Sequence, residues 1–216
     1  LEETFPEMRG KFIAIENISS KTLIYKMSNE FYPKEYKGLE NKTIILSIGR
    51  LVNQKGFDFA LKAVKILKEK GFNFKWFIIG IGELKEELNT YITQNNLQNH
   101  VELLGERSNP YPYIKYCGFF LQTSRYEGKS IVIDEAKILN KPIIVTRYPS
   151  VLDNIQDGQS GIICDMNPEA IANAILEFSK DNIKQKHIIS YLERYCSGNE
   201  YEINKYIELF DGINTK

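Results

Sequence analysis

Two glutamates stand eight positions apart in the stretch SRYEGKSIVIDEAK: Glu127, just before Gly128, Lys129 and Ser130, and Glu135, inside a helical pattern. Upstream, GRLVNQKGFD carries two cations, Arg50 and Lys55, on either side of a short apolar step. Arg presents a planar fork and Lys a mobile point charge, and together they suit a diphosphate. Taken alone, the pair reads more simply as loop solvation than as a phosphate site. Glu135 is harder to pass over. On a helix spanning SIVIDEAKILN, the spacing puts Ser130, Asp134, Lys137 and Lys141 on a polar face, with Asp134 and Lys137 as surface residues. Val132, Ala136 and Leu139 form an apolar side flanked by Ile131 and Ile138. Glu135 falls on that apolar side, where a carboxylate is costly unless something hydrogen-bonds it. Its partner is either a ligand hydroxyl near the helix N-terminus or an internal Lys, Arg or backbone N–H. The same helix end, capped by Ser130, offers amides and a partial positive charge that attract phosphate.

Two further loops carry unusual residues. In IIGIGELKEEL, Gly80 and Gly82 follow an apolar run, but Lys85 stands at the third glycine position of a G-x-G-x-x-G fingerprint, so the dinucleotide reading fails. The glycine pair then either brings backbone close to a ligand or makes a tight strand–helix turn. In LLGERSNPYPYIKY, the backbone from Gly105 through Glu106 and Arg107 to Ser108 can edge a base. Asn109 and Pro110 read as the cap and first residue of a helix, and Tyr111, Tyr113 and Tyr116 as packing residues.

These residues need a scaffold that brings them together. From Asn41 onward, short apolar runs (TIILSIG, FKWFIIG, VELLG, GFFLQTS, PIIVT, GIIC) alternate with amphipathic stretches. The clearest of those, FDFALKAVKILKEKG, turns Phe59, Ala63, Ile66 and Leu67 to one face and ends at Gly71. This alternation predicts an α/β fold, a single doubly wound parallel sheet of six strands, Rossmann-like, with helices on both faces. Right-handed crossovers place every strand-to-helix loop on one edge, where such sheets bind ligands. Arg50, Lys55 and Glu127 therefore share that edge. Beyond Cys164, NPEAIANAILEFSKD reads as a helix with Asn167 as cap and Pro168 first, followed by amphipathic segments at 183–195 and 201–210. In the first 40 residues, KFIAIEN reads as a strand and SSKTLIYKMSNEF as a short helix or loop.

Composition narrows the function. Lys plus Arg and Asp plus Glu balance at 28 each, so no basic surface points to nucleic acid. No apolar run approaches the ~20 residues that span a bilayer, and no signal peptide opens the chain, which begins at Leu1 and reads as a fragment. The 3 cysteines are odd in number and widely spaced, and fit reduced thiols of a cytosolic protein. With 2 histidines, a His-based metal site or triad has little material.

In order and spacing, GRLVNQKGFD, GIGELKEEL and EGKSIVIDE resemble the carboxyl-terminal half of a GT-B glycosyltransferase of the retaining family 4 group, with Glu127 and Glu135 as its E-x7-E motif. The resemblance runs from about Thr43 to Phe178. NPYPYIKYCGFFLQTSRYEG is most similar to members that build bacterial capsule, lipopolysaccharide or protein-linked glycans from UDP-sugars. It implies a nucleotide-sugar donor, a glycan or lipid-linked acceptor, retention of anomeric configuration and no metal or other cofactor. It implies that Arg50 and Lys55 neutralise the donor diphosphate, Glu127 contacts the transferred sugar, Glu135 holds the ribose, and the amides of Lys129, Ser130 and Ile131 meet the phosphates. Gly49, Gly82, Gly105, Glu106, Arg107 and Gly128 complete the donor-binding set. Residues 1–40 then form an interdomain connector, 41–180 the nucleotide-sugar domain, and 181–216 helices that pack toward an absent acceptor-binding half. Such a chain binds donor weakly and turns over little alone, in the cytoplasm or at the inner face of the membrane. Two departures stand out: Gly128-Lys129-Ser130, where many relatives have Gly-Phe-Gly or Gly-Leu-Pro, and TRYPSVLDNI, where many carry a Gly-Gly pair and a Glu. The alternatives are a nucleotide-sugar 2-epimerase-like domain, for which no histidine-bearing loop is found, and a non-catalytic sugar-nucleotide-binding module.

Overall fold

The computed structural model describes residues 17–196 and 198–214. The strand expected in KFIAIEN lies, but for Asn17, outside them. Six strands, β1 (Thr43–Ile48), β2 (Phe74–Ile79), β3 (Val101–Gly105), β4 (Phe119–Gln122), β5 (Ile143–Thr146) and β6 (Ile162–Cys164), form one sheet in the order β3-β2-β1-β4-β5-β6. Every pairing is parallel. The order reverses between β1 and β4, and that switch point opens a crevice at the strand carboxyl ends. The expected doubly wound sheet is therefore present.

Helices cover both faces: α1 (Lys21–Ser28), α2 (Phe57–Glu69), α3 (Lys85–Gln94), α4 (Tyr111–Tyr116), α5 (Ile131–Ile138), α6 (Val151–Asn154), α7 (Pro168–Lys180), α8 (Asn182–Tyr195) and α9 (Glu202–Asn214). Two apolar layers result. One packs α2, α3, α7 and α8 on the side of Ile45, Trp76 and Ile78; the other packs α1, α4 and α5 on the side of Leu46, Phe77 and Phe120. Alternate residues of the same strand feed opposite layers, which is why these strands are mostly apolar. Ser47 is the buried polar residue of β1, and it is satisfied: its Oγ accepts from Trp76 Nε1 at 2.9 Å and donates to the Leu121 carbonyl at 2.6 Å.

Helix ends follow the sequence closely. Asn167 accepts the Ala170 N–H at 2.8 Å with Pro168 behind it, and α2 stops at Gly71, whose φ is +67°. α1 forms in SSKTLIYKMSNEF and is capped by Ser20. α4 differs from expectation. Pro110, not Asn109, occupies the cap position, while the Asn109 side chain accepts the Tyr111 N–H at 3.2 Å. α5 is also rotated from its expected setting. Ile133 is fully buried at its centre, Val132 is half-buried and Ile131 is exposed. Asp134 and Lys137 are not surface residues; both are half-buried and pair at 3.4 Å. Cys117 and Cys164 are buried thiols and Cys196 a half-buried one, none in a disulfide. No helix among the described residues is long and apolar enough to cross a membrane.

Candidate active site

The loops after β1 and β4 meet at the switch point. Lys55 sits in a short 3-10 turn, Asn53–Lys55, and Gly56 after it adopts a φ of 62°. A side chain at Gly56 would collide with the Thr123 carbonyl, 2.0 Å from its Cβ, so the turn lies directly on the β4 loop. There the Lys55 Nζ reaches Glu127 Oε1 at 2.5 Å, and both groups are largely buried. Ser124 donates to the same oxygen at 2.6 Å. The Lys55 stem lies over Gly49, where a Cβ would stand 3.0 Å from Cε.

The Glu127–Ser130 segment is held from the other side by α6. The Ser150 hydroxyl donates to the Glu127 carbonyl at 2.5 Å. Asn154 accepts the Ser130 N–H at 3.2 Å and donates to the Gly128 carbonyl at 3.2 Å. Ser130 occupies the α5 cap position, but its hydroxyl bonds Gln122 Oε1 at 3.0 Å instead of capping. Of the three amides expected to meet phosphate, that of Ser130 is thus already taken. Lys129, beside it, lies 4.0 Å from Asp134.

Glu135 has found a partner that was not expected from Lys, Arg or backbone. Its Oε1 accepts the Tyr111 hydroxyl at 2.9 Å, and its Oε2 has no partner among the described residues. Burial pushes its pKa up, the Tyr111 bond pulls it down, and neighbouring Asp134 adds to the rise. The Tyr111 phenol is in turn pushed up to about 12 by burial and by Glu135. Tyr148 is buried behind the site with no partner for its hydroxyl among the described residues, and burial, then Glu127, Asp134 and Asp153, push its pKa up.

On the β2–β3 side the edge is open. A cleft of about 220 Å³ runs between Ile48, Gly49, Arg50, Gly80, Ile81, Glu106, Arg107 and Pro110. Arg50 and Glu106 are exposed, and Arg50 has no side-chain partner among the described residues. Arg107, predicted alongside them, is tied down: it donates to the Leu104 carbonyl at 2.5 Å, Glu35 at 3.1 Å and the Tyr113 hydroxyl at 3.1 Å. Gly80 and Gly82 answer to packing. A Cβ on Gly80 would lie 2.0 Å from the Gly49 carbonyl oxygen and one on Gly82 2.4 Å from that of Leu51, so the β1 and β2 loops touch backbone to backbone. Gly105 has open space around it and a φ of +71°.

Sequence reasoning missed Ser124, Arg125, Asn154 and the role of Tyr111. Ser124 and Arg125 were legible as polar neighbours of Glu127; nothing in the spacing pairs Tyr111 or Asn154 with residues 24 positions away.

The model of the family "Glycosyl transferases group 1" matches residues 28–194. The chain belongs to the group 1 glycosyl transferases. An uncharacterized glycosyltransferase of Methanocaldococcus jannaschii is 35% identical over 147 residues, 68% of this chain and 36% of the relative. The N-acetylgalactosamine-N,N'-diacetylbacillosaminyl-diphospho-undecaprenol 4-alpha-N-acetylgalactosaminyltransferase of Campylobacter jejuni is 33% identical over 158 residues, 73% of this chain and 39% of that enzyme. Among solved structures, Anabaena HepE in complex with UDP and glucose superposes with a TM-score of 0.76 at 20% identity, over 91% of this chain and 56% of that one. This group 1 chain spans about a third to a half of the length of the curated relatives first matched, and relatives in the family include bacterial polysaccharide glycosyltransferases such as CapM of Staphylococcus aureus.

Proposed function

We propose that the chain is the donor-binding part of a retaining GT-B glycosyltransferase of family 4, moving a hexose or N-acetylhexosamine from a nucleotide sugar, UDP-linked, to a glycan or lipid-linked acceptor in surface polysaccharide synthesis. The observation that carries the reading is the Lys55–Glu127 pair, held at 2.5 Å on the switch-point edge beside an open cleft. Nucleoside enters that cleft, and the diphosphate lies between Arg50, Lys55 and the start of α5. The first helical amides there, those of Ile131 and Val132, have no intrahelical acceptor. As the glycosidic bond breaks, negative charge grows on the leaving phosphate, and the two cations and the helix end stabilise it where water is partly excluded. Glu127, freed from Lys55 by the phosphate, turns to hydroxyls of the transferred sugar. The unpartnered Oε2 of Glu135 accepts from the ribose while Tyr111 holds Oε1.

In this reading residues 1–40 connect to, and the helices after residue 180 pack toward, an acceptor-binding part, so the chain alone binds donor but transfers little. The reading fits an enzyme working in the cytoplasm, at the inner membrane face when the acceptor is lipid-linked. Isothermal titration with UDP and UDP-sugars, with a donor-hydrolysis assay, tests it. Saturable UDP binding with negligible turnover is expected. Absence of binding contradicts the donor site, and robust transfer by this chain alone contradicts the division of labour.

A further inference from the structure

The Lys55–Glu127 contact joins two loops that have no backbone ladder between them, so something else must set its length. The β4 loop does so through Thr123 and above all Arg125, with Gln54 Nε2 also donating to the Tyr126 carbonyl at 2.9 Å. The carbonyls of Asn53, Gln54 and Lys55, the whole turn that carries the lysine, are each taken by Thr123 or Arg125. The Arg125 Nη1 donates to Asn53 O at 2.6 Å, the Arg125 amide to Gln54 O at 2.7 Å, and the Thr123 hydroxyl to Lys55 O at 3.0 Å. Beyond the turn, the Arg125 guanidinium forks onto both carboxylate oxygens of Asp58, in the first turn of α2, at 2.9 and 2.8 Å. It also lies over the Phe59 ring, 4.5 Å from its centroid. A planar fork on a carboxylate fixes direction as well as distance, which a lysine in its place would not. Arg125 stands two residues before Glu127, and Asp58 three after Lys55. The clamp therefore brackets the pair from outside, on its own partly exposed surface, without touching either charged group.

We propose that Arg125, through Asp58, is the positioning residue that sets the spacing of Lys55 and Glu127 and thereby tunes the affinity of the site for a diphosphate. The second half of that statement rests on the donor reading given above; the first half does not. The arrangement makes the Lys55–Glu127 distance a property of the loop pair and not of the two side chains. Loss of the clamp lets the turn lift from the β4 loop and weakens the preorganisation of both groups. Because the clamp sits at the surface, its loss changes geometry more than it changes stability.

The test uses the whole chain, unliganded and with UDP. The Lys55 side-chain resonances and the Glu127 carboxyl resonance report the pair in the free protein by NMR, before any ligand is added. Arg125→Gln and Asp58→Asn, which break the same clamp from its two ends, are each expected to move both resonances toward exposed values while the melting profile stays cooperative. With UDP, each is expected to lose about tenfold in affinity, and to lose nothing further in a Lys55→Met background, because UDP, which carries no sugar for Glu127 to meet, reads the clamp only through that lysine. Unchanged Lys55 and Glu127 resonances in both variants overturn the proposal whatever UDP does. So does an equal loss of affinity in the Lys55→Met background, which marks a general structural effect. If the resonances move as expected while UDP binds neither wild type nor variant, positioning is upheld and the donor reading is what falls.

Discussion

The two sides of the crevice are built differently. On the β1–β4 side the charged groups at the crevice are tied down: Lys55 to Glu127, Arg125 to Asp58, and the Glu127–Ser130 segment to Ser150 and Asn154. On the β1–β3 side Arg50 and Glu106 stand exposed around an open cleft, and the glycines there serve backbone contact between loops. In the proposed donor reading the contrast separates two tasks. A group that must meet a breaking bond is worth holding rigidly, whereas a cleft that receives a flat base needs shape and access more than bonds. The locked side should therefore carry both stability and affinity, and the open side mainly affinity.

The largest effect is expected at Lys55. Lys55→Met leaves the Glu127 carboxylate buried without its cation and should cost about 3 kcal/mol of stability, together with most UDP affinity. Adding Glu127→Gln should restore most of the stability and none of the binding; urea denaturation and calorimetric titration read the two separately. Next comes Gly82→Ala. Its Cβ meets backbone that cannot yield cheaply, 2.4 Å from the Leu51 carbonyl oxygen, and about 2 kcal/mol is expected to be lost. Denaturation that shows no change there would break the account of the β1–β2 contact.

Tyr111→Phe should cost about 1 kcal/mol at neutral pH, with a pH signature. The folded pKa of Glu135 is raised above its ordinary 4.5, burial being the first cause. Its neutral form therefore favours the fold fully below that value, and this contribution is lost as pH rises through the raised one. Removing the Tyr111 bond, which favours the charged form, raises the folded value further and enlarges the loss. Glu135→Gln abolishes it. Melting temperatures of the three proteins across the acid to neutral range check the order. The smallest effect on folding belongs to Arg50→Ala, within about 0.5 kcal/mol because the side chain is exposed and unpaired among the described residues. UDP affinity should still fall several-fold, and a drop in stability as large as that of Lys55→Met would erase the contrast.

The sheet was legible in the sequence because buried parallel strands leave a direct mark: TIILSIG and FKWFIIG have no polar face to hide. The bringing together of Lys55 and Glu127 was legible through the same rule, since right-handed crossovers send both loops to one edge. The setting of α5 was not. In Ile131-Val132-Ile133 three successive apolar residues leave the helical face open, and only packing against the sheet decides that Ile133 goes in and Ile131 stays out. Arg50 and Arg107 each lie just beyond a strand, so sequence ranks them alike. The structure separates them because Glu35 and Tyr113 happen to meet one and no side chain among the described residues bonds the other. Partners such as Tyr111 for Glu135 depend on how α4 docks beside α5, which no local pattern encodes.

The central claim is that this crevice binds a nucleoside diphosphate across both sides. Backbone amide spectra of the chain during a UDP titration test it most directly. The account predicts saturable shifts at Gly49–Lys55, at Glu106 and from Glu127 to Glu135, with α7 and α8 silent. Shifts confined to α7 and α8, or a spectrum unmoved by millimolar UDP, would contradict it.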